Sequence, residues 1–168
     1  MNAFGRTADK ERLNIGQRVL ELIFAVLMIG LFGFMVYHQQ TNSGFFTEKF
    51  GALEMLALYV PMALAVSAML IRVLTGQQQP ARPIEVLRNL ALGLGSLWLL
   101  IVFPFNFAHL ADTLPETLHV VLSWMSNDVG RILLILQAIL GPVSALVTAW
   151  QYVSIRHRRT DGAAYHNP

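Results

Sequence analysis

The run from Ile132 to Ile155 contains no charged residue, and it is too long to be an ordinary buried helix of a small soluble core. A bilayer core of roughly 30 Å needs about 20 mostly apolar helical residues to cross it. Three other segments meet that length, so the pattern predicts spans over about 17–38, 50–74, 84–110 and 129–155. The second is interrupted by Glu54, yet Met55 to Ile71 is again uncharged. Composition agrees with this reading. Of the 168 residues, 55% are hydrophobic and 13% charged, against about 25% charged in a soluble domain. The expected fold is an all-α membrane protein: one membrane domain, a four-transmembrane-helix bundle with polar tails at 1–16 and 156–168.

The basic residues set the expected orientation. Arg6, Lys10, Arg12 and Arg18 precede the first span, Arg72, Arg82 and Arg88 bracket the loop between the second and third, and Arg156, Arg158 and Arg159 follow the fourth. Only Lys49 and Arg131 fall on the other side. Short loops rich in Lys and Arg stay cytoplasmic, so both termini are expected inside, in a bacterial inner (plasma) membrane. The first span is not read as a cleaved signal: its apolar run is long, and Tyr37-His38-Gln39-Gln40 offers no small-residue cleavage pattern. The net charge of +2 does not indicate a nucleic-acid partner, because the basic residues flank spans and form no contiguous face.

The outer side carries Glu48, Glu54, Asp112, Glu116 and Asp128 and the one substantial loop. Thr113-Leu114-Pro115-Glu116 has the form of a capping box with an early helical proline. Leu114, Leu118, Val121, Leu122 and Met125 then recur at helical spacing. A short outer interfacial helix is therefore expected at about 114–125, between spans three and four, with Trp124 at headgroup depth.

Helices in lipid associate through close packing of small residues. Such surfaces occur at Gly30 and Gly33, at Ala63, Ser67 and Ala68, at Ala91, Gly93, Gly95 and Ser96, and at Gly141, Ala145 and Ala149. All are expected to face other helices, either within the chain or across an oligomer. Pro61, Pro104 and Pro142 are expected to bend or loosen their spans by freeing carbonyls, and Asn106 could satisfy those that Pro104 frees.

Ionisable groups within spans are functional suspects because lipid makes them costly. Glu21 stands one turn inside and is read as pairing with Arg18 at i−3; Arg131 is read as an anchor that pairs with Asp128 or snorkels. At the outer ends, antiparallel threading gathers His38, Glu54, His109, Asp112 and His119 in one leaflet, with His109 and Asp112 sharing a helical face. Imidazole and carboxylate groups together could bind a divalent metal, relay a proton or hold a headgroup; the alternative is that His and Asp simply end helices where water begins. A haem held between His38 and His109 would need axial ligands facing one another in the bundle, whereas both stand at the interface. Asn106 and Gln137 are the candidate lining residues of any oligomeric pore.

The chain has no cysteine, which removes disulfides, thiolate metal sites and dithiol redox chemistry. It has no P-loop, dinucleotide glycine pattern, Gly-x-Ser-x-Gly elbow or His-Glu-x-x-His. Nothing in it names a cofactor. Three functions remain: a non-enzymatic subunit or scaffold of a membrane complex, a small oligomeric channel or carrier, and a redox membrane subunit using the outer His/Glu/Asp group. The partners expected are the lipid bilayer and either further copies of the chain or other membrane subunits. In length, in its four spans and in the acid of Ala52-Leu53-Glu54-Met55, the chain resembles the DoxX family of small membrane proteins. That resemblance covers the general layout and these four residues, and it implies the quinone-interacting or redox reading.

Overall fold

Each helix starts and stops where its sequence supplies a cap. The computed structural model describes residues 12–114, 116–122 and 124–164. Helix α1 (Ile15–Thr41) opens on a reciprocal capping box: Gln17 N donates to Asn14 Oδ1 at 2.8 Å and Asn14 N donates to Gln17 Oε1 at 3.0 Å. It closes on Asn42 in the left-handed conformation, φ 48°, which asparagine adopts more readily than most residues. Helix α2 (Ala52–Thr75) begins with Gly51 N donating to Glu54 Oε2 at 2.9 Å and ends on Gly76, φ 64°. A 3-10 turn at Gln79–Ala81 leads into α3 (Arg82–Val102), with Pro83 in the first turn, where a missing N–H costs nothing. Then come α4 (Glu116–Leu122) and α5 (Asn127–Ala164). Four helices, counting the 3-10 turn with α3, are long and apolar enough to cross a membrane.

Three expected boundaries move. The third span stops at Val102, not near 110. Pro104 has no N–H to continue the ladder and disfavours a right-handed helical residue before it; Phe103 turns left-handed instead, φ 41°. Pro104 therefore terminates a span, while Pro61 and Pro142 remain inside α2 and α5. The short helix occupies Glu116–Leu122 within the expected 114–125, because the chain turns after it: Met125 N donates to Leu122 O at 3.0 Å, and Ser126 Oγ accepts from Val129 N at 3.3 Å to open α5. The last helix runs to Ala164, past the end expected near 155. Of the expected tails, residues 1–11 and 165–168 lie outside the described residues, as does Pro115.

Helix α3 is the centre of the packing. A Cβ on Gly95 would stand 2.5 Å from Ala57 O of α2, and one on Gly93 would stand 2.5 Å from Pro142 Cδ of α5. One on Gly141 would meet Asn89 O and the Gly93 Cα at 2.7 Å. Glycine at these points lets backbones approach as lipid-embedded helices require. The small residues of spans three and four thus face other helices as expected. The Gly30 and Gly33 notch meets no other helix of this chain, nothing lying within 4 Å of a Cβ placed there, so the contact expected of it is one across an oligomer. Ala68 turns inward and Ala63 and Ser67 outward.

Helix α1 packs on α2, α2 on α3, and α3 on α5, with no comparable contact between α1 and α5. Only 6% of the most apolar window of α1 is buried, against 28% for the third span, so α1 is the peripheral helix. The expected bundle is consequently open along one side. At the end remote from residue 12, the α1–α2 and α3–α4 loops close over the helices. Thr47 N donates to Pro104 O at 2.9 Å and Asn106 N to Phe45 O at 2.7 Å, tying the two loops together. Buried Phe45, Phe105 and Leu110 join Leu99 and Leu134 in one core cluster there, and Phe45 contacts the rings of Phe46, Phe105 and Phe107 at centroid distances of 4.8–5.5 Å.

Candidate functional site

The arginines that bracket the α2–α3 loop turn inward instead of reaching into water. Arg72, near the end of α2, donates through Nη2 to Glu21 Oε2 of α1 at 2.9 Å and forms a second ion pair through Nη1 with Glu85 Oε1 of α3. Its side chain is 11% exposed. The expected Glu21–Arg18 pair is thereby replaced. Arg18 reaches across to the end of α2 and donates to Val73 O through Nε and Nη2, at 3.1 and 2.6 Å. Val73 O is one of the last four carbonyls of α2, which have no partner within the helix, and Arg18 satisfies it.

Arg82 and Asn89 are buried beside this pair of salt bridges. Arg88 donates through both Nε and Nη2 to Asn89 Oδ1, at 3.1 and 2.7 Å. Together with Thr148 and Gln151 of α5, these groups line a polar cavity of about 310 Å³. Three arginines and two glutamates stand around it. Elements from all four spans contribute, so the cavity exists only in the folded chain. Sequence spacing could not find it, because the charges are far apart in the chain and each looks like an ordinary span flank.

A second cavity, of about 380 Å³, shares Arg88 with the first and is lined mostly by apolar residues of the spans. Met28, Leu31 and Met35 supply the α1 wall and Leu58, Pro61 and Ala65 the α2 wall, at the spacing that puts residues on one helix face. Arg88, Leu92, Ser96 and Leu99 run down α3, and Leu134 and Gln137 complete it from α5. Ser96 Oγ donates to Gln137 Oε1 at 2.9 Å, one of the polar contacts across helices that lipid favours. Since α1 and α5 do not close on one another, this cavity is a groove with a lateral opening; Leu31 lines it and is still 44% exposed. Arg88 belongs to both cavities.

The residues expected to gather at the opposite end divide into separate contacts. His38 is fully buried, with Nδ1 2.5 Å from Ser43 Oγ and Nε2 2.8 Å from Thr113 Oγ1. It locks the end of α1 to both loops, and with both ring nitrogens engaged it has none left for a haem iron. Thr113 spends its hydroxyl on His38. His109 and Asp112 do come together, Nδ1 to Oδ2 at 2.7 Å, in an exposed pair. Glu54 is held instead by Gly51 N and by Trp98 Nε1, which donates to Oε1 at 2.9 Å. His119 Nε2 donates to Leu114 O at 2.9 Å. Among the described residues no three His, Cys, Asp or Glu side chains converge on a position for a metal ion.

Of the two pore candidates, Gln137 lines the groove, whereas Asn106 lies in the loop beyond α3, where its Oδ1 accepts from Ala108 N at 3.3 Å. Asn106 therefore caps a 3-10 turn and does not serve carbonyls freed within a span. Arg131 packs its guanidinium 4.6 Å from the centre of the Phe103 ring, a cation–π contact that anchors the start of α5.

Comparison with family models, with characterised proteins and with solved structures finds no match to this chain. The membrane assignment rests on the four apolar helices, and the site rests on its own geometry.

Proposed function

We propose that the chain is a non-enzymatic subunit or scaffold of a membrane complex, with both termini on the cytoplasmic side of a bacterial inner membrane, that holds an amphiphilic molecule in the groove between its spans. The observation that supports this reading is the open side of the helix row. Among the described helices α1 packs chiefly on α2, leaving a recess of about 380 Å³ with walls from all four spans. That volume is in the range of small-molecule sites, roughly 300–1,000 Å³. Its lining is apolar except for Arg88, Ser96 and Gln137, as expected of a site that takes a mostly hydrocarbon guest and orients it by a few polar groups.

The orientation follows from the Lys and Arg bias, which puts the arginine cavity in the cytoplasmic leaflet and the phenylalanine-rich loops, with α4 along the interface, outside. The exposed α1 surface around Leu20, Ile23 and Leu27 is available to lipid or to a helix of another membrane subunit or a second copy. A carrier or redox role would need a group that moves or reacts. The His38, Glu54 and His119 contacts described above are better suited to holding loops in place.

Native mass spectrometry in mild detergent tests the reading. The protein extracted from membranes should retain a small-molecule adduct in about one-to-one ratio, and Ala65→Trp, which fills the recess from α2, should release it while helical circular dichroism is unchanged. Adduct-free protein, or an adduct indifferent to Ala65→Trp, would remove the proposal.

A further inference from the structure

We infer that the occupant of the groove is a long-chain lipid oxygenated midway along its chain, and that the Gln137 carboxamide selects it by donating to that oxygen. This deepens the reading above and rests on it. Three observations carry it.

The first is an unused donor. Ser96 Oγ donates to Gln137 Oε1 at 2.9 Å, and no other hydrogen bond engages the Gln137 side chain among the described residues. Its Nε2 group, which carries two N–H donors, is left without a partner there. Because buried Ser96 holds Oε1, the free end of the carboxamide is the donating end, and what it calls for is an acceptor. The second is place. Gln137 is exposed and lines the groove. It stands roughly 15 Å along α5 from Asn127 at 1.5 Å per residue, near the middle of a hydrocarbon core of roughly 30 Å. Lipid tails offer no acceptor at that depth, and an amide N–H left unpaired in hydrocarbon is costly. A guest that brings an oxygen to this point removes the cost.

The third is spacing. At one end the groove shares Arg88 with the polar cavity, where a polar head meets hydrogen-bonding side chains. From Arg88 to Ser96, the partner of Gln137, α3 rises roughly 12 Å. The chain oxygen of the guest thus lies about 12 Å from its head. An ordinary acyl ester, whose carbonyl adjoins the head, cannot reach Gln137 with it. The lateral opening suits such a guest, since its chain passes from one apolar surrounding to another and the contact with Gln137 supplies the selectivity.

The test uses the full chain, delipidated in neutral detergent, titrated with monoacylglycerols and read by native mass spectrometry. Three probes share one head and one chain length: the stearoyl ester, the same ester with a keto group midway along the chain, and the same ester with the keto group close to the head. The mid-chain ketone should bind one-to-one and about fivefold more tightly than the other two, the worth of one hydrogen bond. Gln137→Leu, of similar size, should bring the mid-chain ketone down to the affinity of the plain ester and leave the plain ester unchanged. Equal binding of all three probes, lost in Ala65→Trp, would overturn selection by Gln137 and leave the groove reading standing. A ketone preference that persists in Gln137→Leu, or that is as strong for the ketone near the head, would overturn it in the same way. A dimer that Gln137→Leu splits into monomers would show the carboxamide serving a second copy of the chain, and the inference would fall. Failure of all three probes to bind, or binding that survives Ala65→Trp, would overturn both readings. Circular dichroism of each variant, with plain-ester binding retained in Gln137→Leu, separates loss of the selection from loss of the fold.

Discussion

Replacing Arg72 by leucine should be among the most damaging single changes in this protein. Arg72 stands between Glu21 and Glu85, and both carboxylates are mostly withdrawn from water, their side chains 23% and 20% exposed. Arg72→Leu leaves two partly buried negative charges facing each other with nothing between them. Removing one partner from a buried ion pair typically costs about 3–5 kcal/mol. The adjoining polar cavity gives water some access, which argues for the low end, about 3 kcal/mol, or roughly a hundredfold in the folding equilibrium. Replacing all three residues by leucine is a different matter. The triple variant Glu21→Leu, Arg72→Leu, Glu85→Leu removes the desolvation cost along with the attraction and should lie within about 1 kcal/mol of the natural protein. Equilibrium unfolding in mixed detergent micelles, followed by circular dichroism, reads both quantities. A single variant as stable as the natural protein, or a triple variant as weak as the single, would refute this account of the cluster.

Two other changes probe the packing. Gly93→Leu drives a side chain into Pro142 and should cost at least about 1–3 kcal/mol, whereas Gly30→Leu, with nothing within 4 Å of its Cβ, should stay within about 0.5 kcal/mol; the same unfolding assay compares them, and equal effects would mean that the α3–α5 crossing is misplaced. His38→Ala strands the Ser43 and Thr113 hydroxyls and opens a cavity, at about 2–4 kcal/mol. It should also speed hydrogen exchange at the Asn106 amide, which bonds to Phe45 O across the two loops, and unchanged exchange would show that His38 does not hold those loops together.

The spans were legible in the sequence because length and hydropathy report them directly. Ile132 to Ile155 could hardly be anything else, and the observed helices overlap every expected segment. Where the boundaries failed, local chemistry explains the failure. Phe103 and Pro104 sit in an apolar run that hydropathy carries through to Leu110, and only the missing N–H of proline ends the helix. The glycines of α3 were recognisable as packing surfaces, yet Gly30 and Gly33 have the same composition and face outward, since small residues mark possible contacts without naming a partner. The site was read less well. Antiparallel threading puts His38, Glu54, His109, Asp112 and His119 at one end, but threading says nothing of side-chain direction, and His38, Glu54 and His119 are spent on loop or helix groups. The arginine cavity was missed for the converse reason. Arg72, Arg82 and Arg88 look like topology markers, and only the tertiary arrangement turns them toward Glu21, Glu85 and Asn89.

Four crossings with the arginine cavity facing the cytosol are the arrangement proposed, and the cysteine-free sequence makes it directly measurable. Single cysteines introduced at Gln78, between α2 and α3, and at Glu48 and Asp128, at the opposite end, can be probed in intact cells with a membrane-impermeant maleimide. Glu48→Cys and Asp128→Cys should label at once, and Gln78→Cys only after the membrane is permeabilised. Labelling of Gln78→Cys from outside, or of all three positions alike, would contradict four crossings with both termini inside.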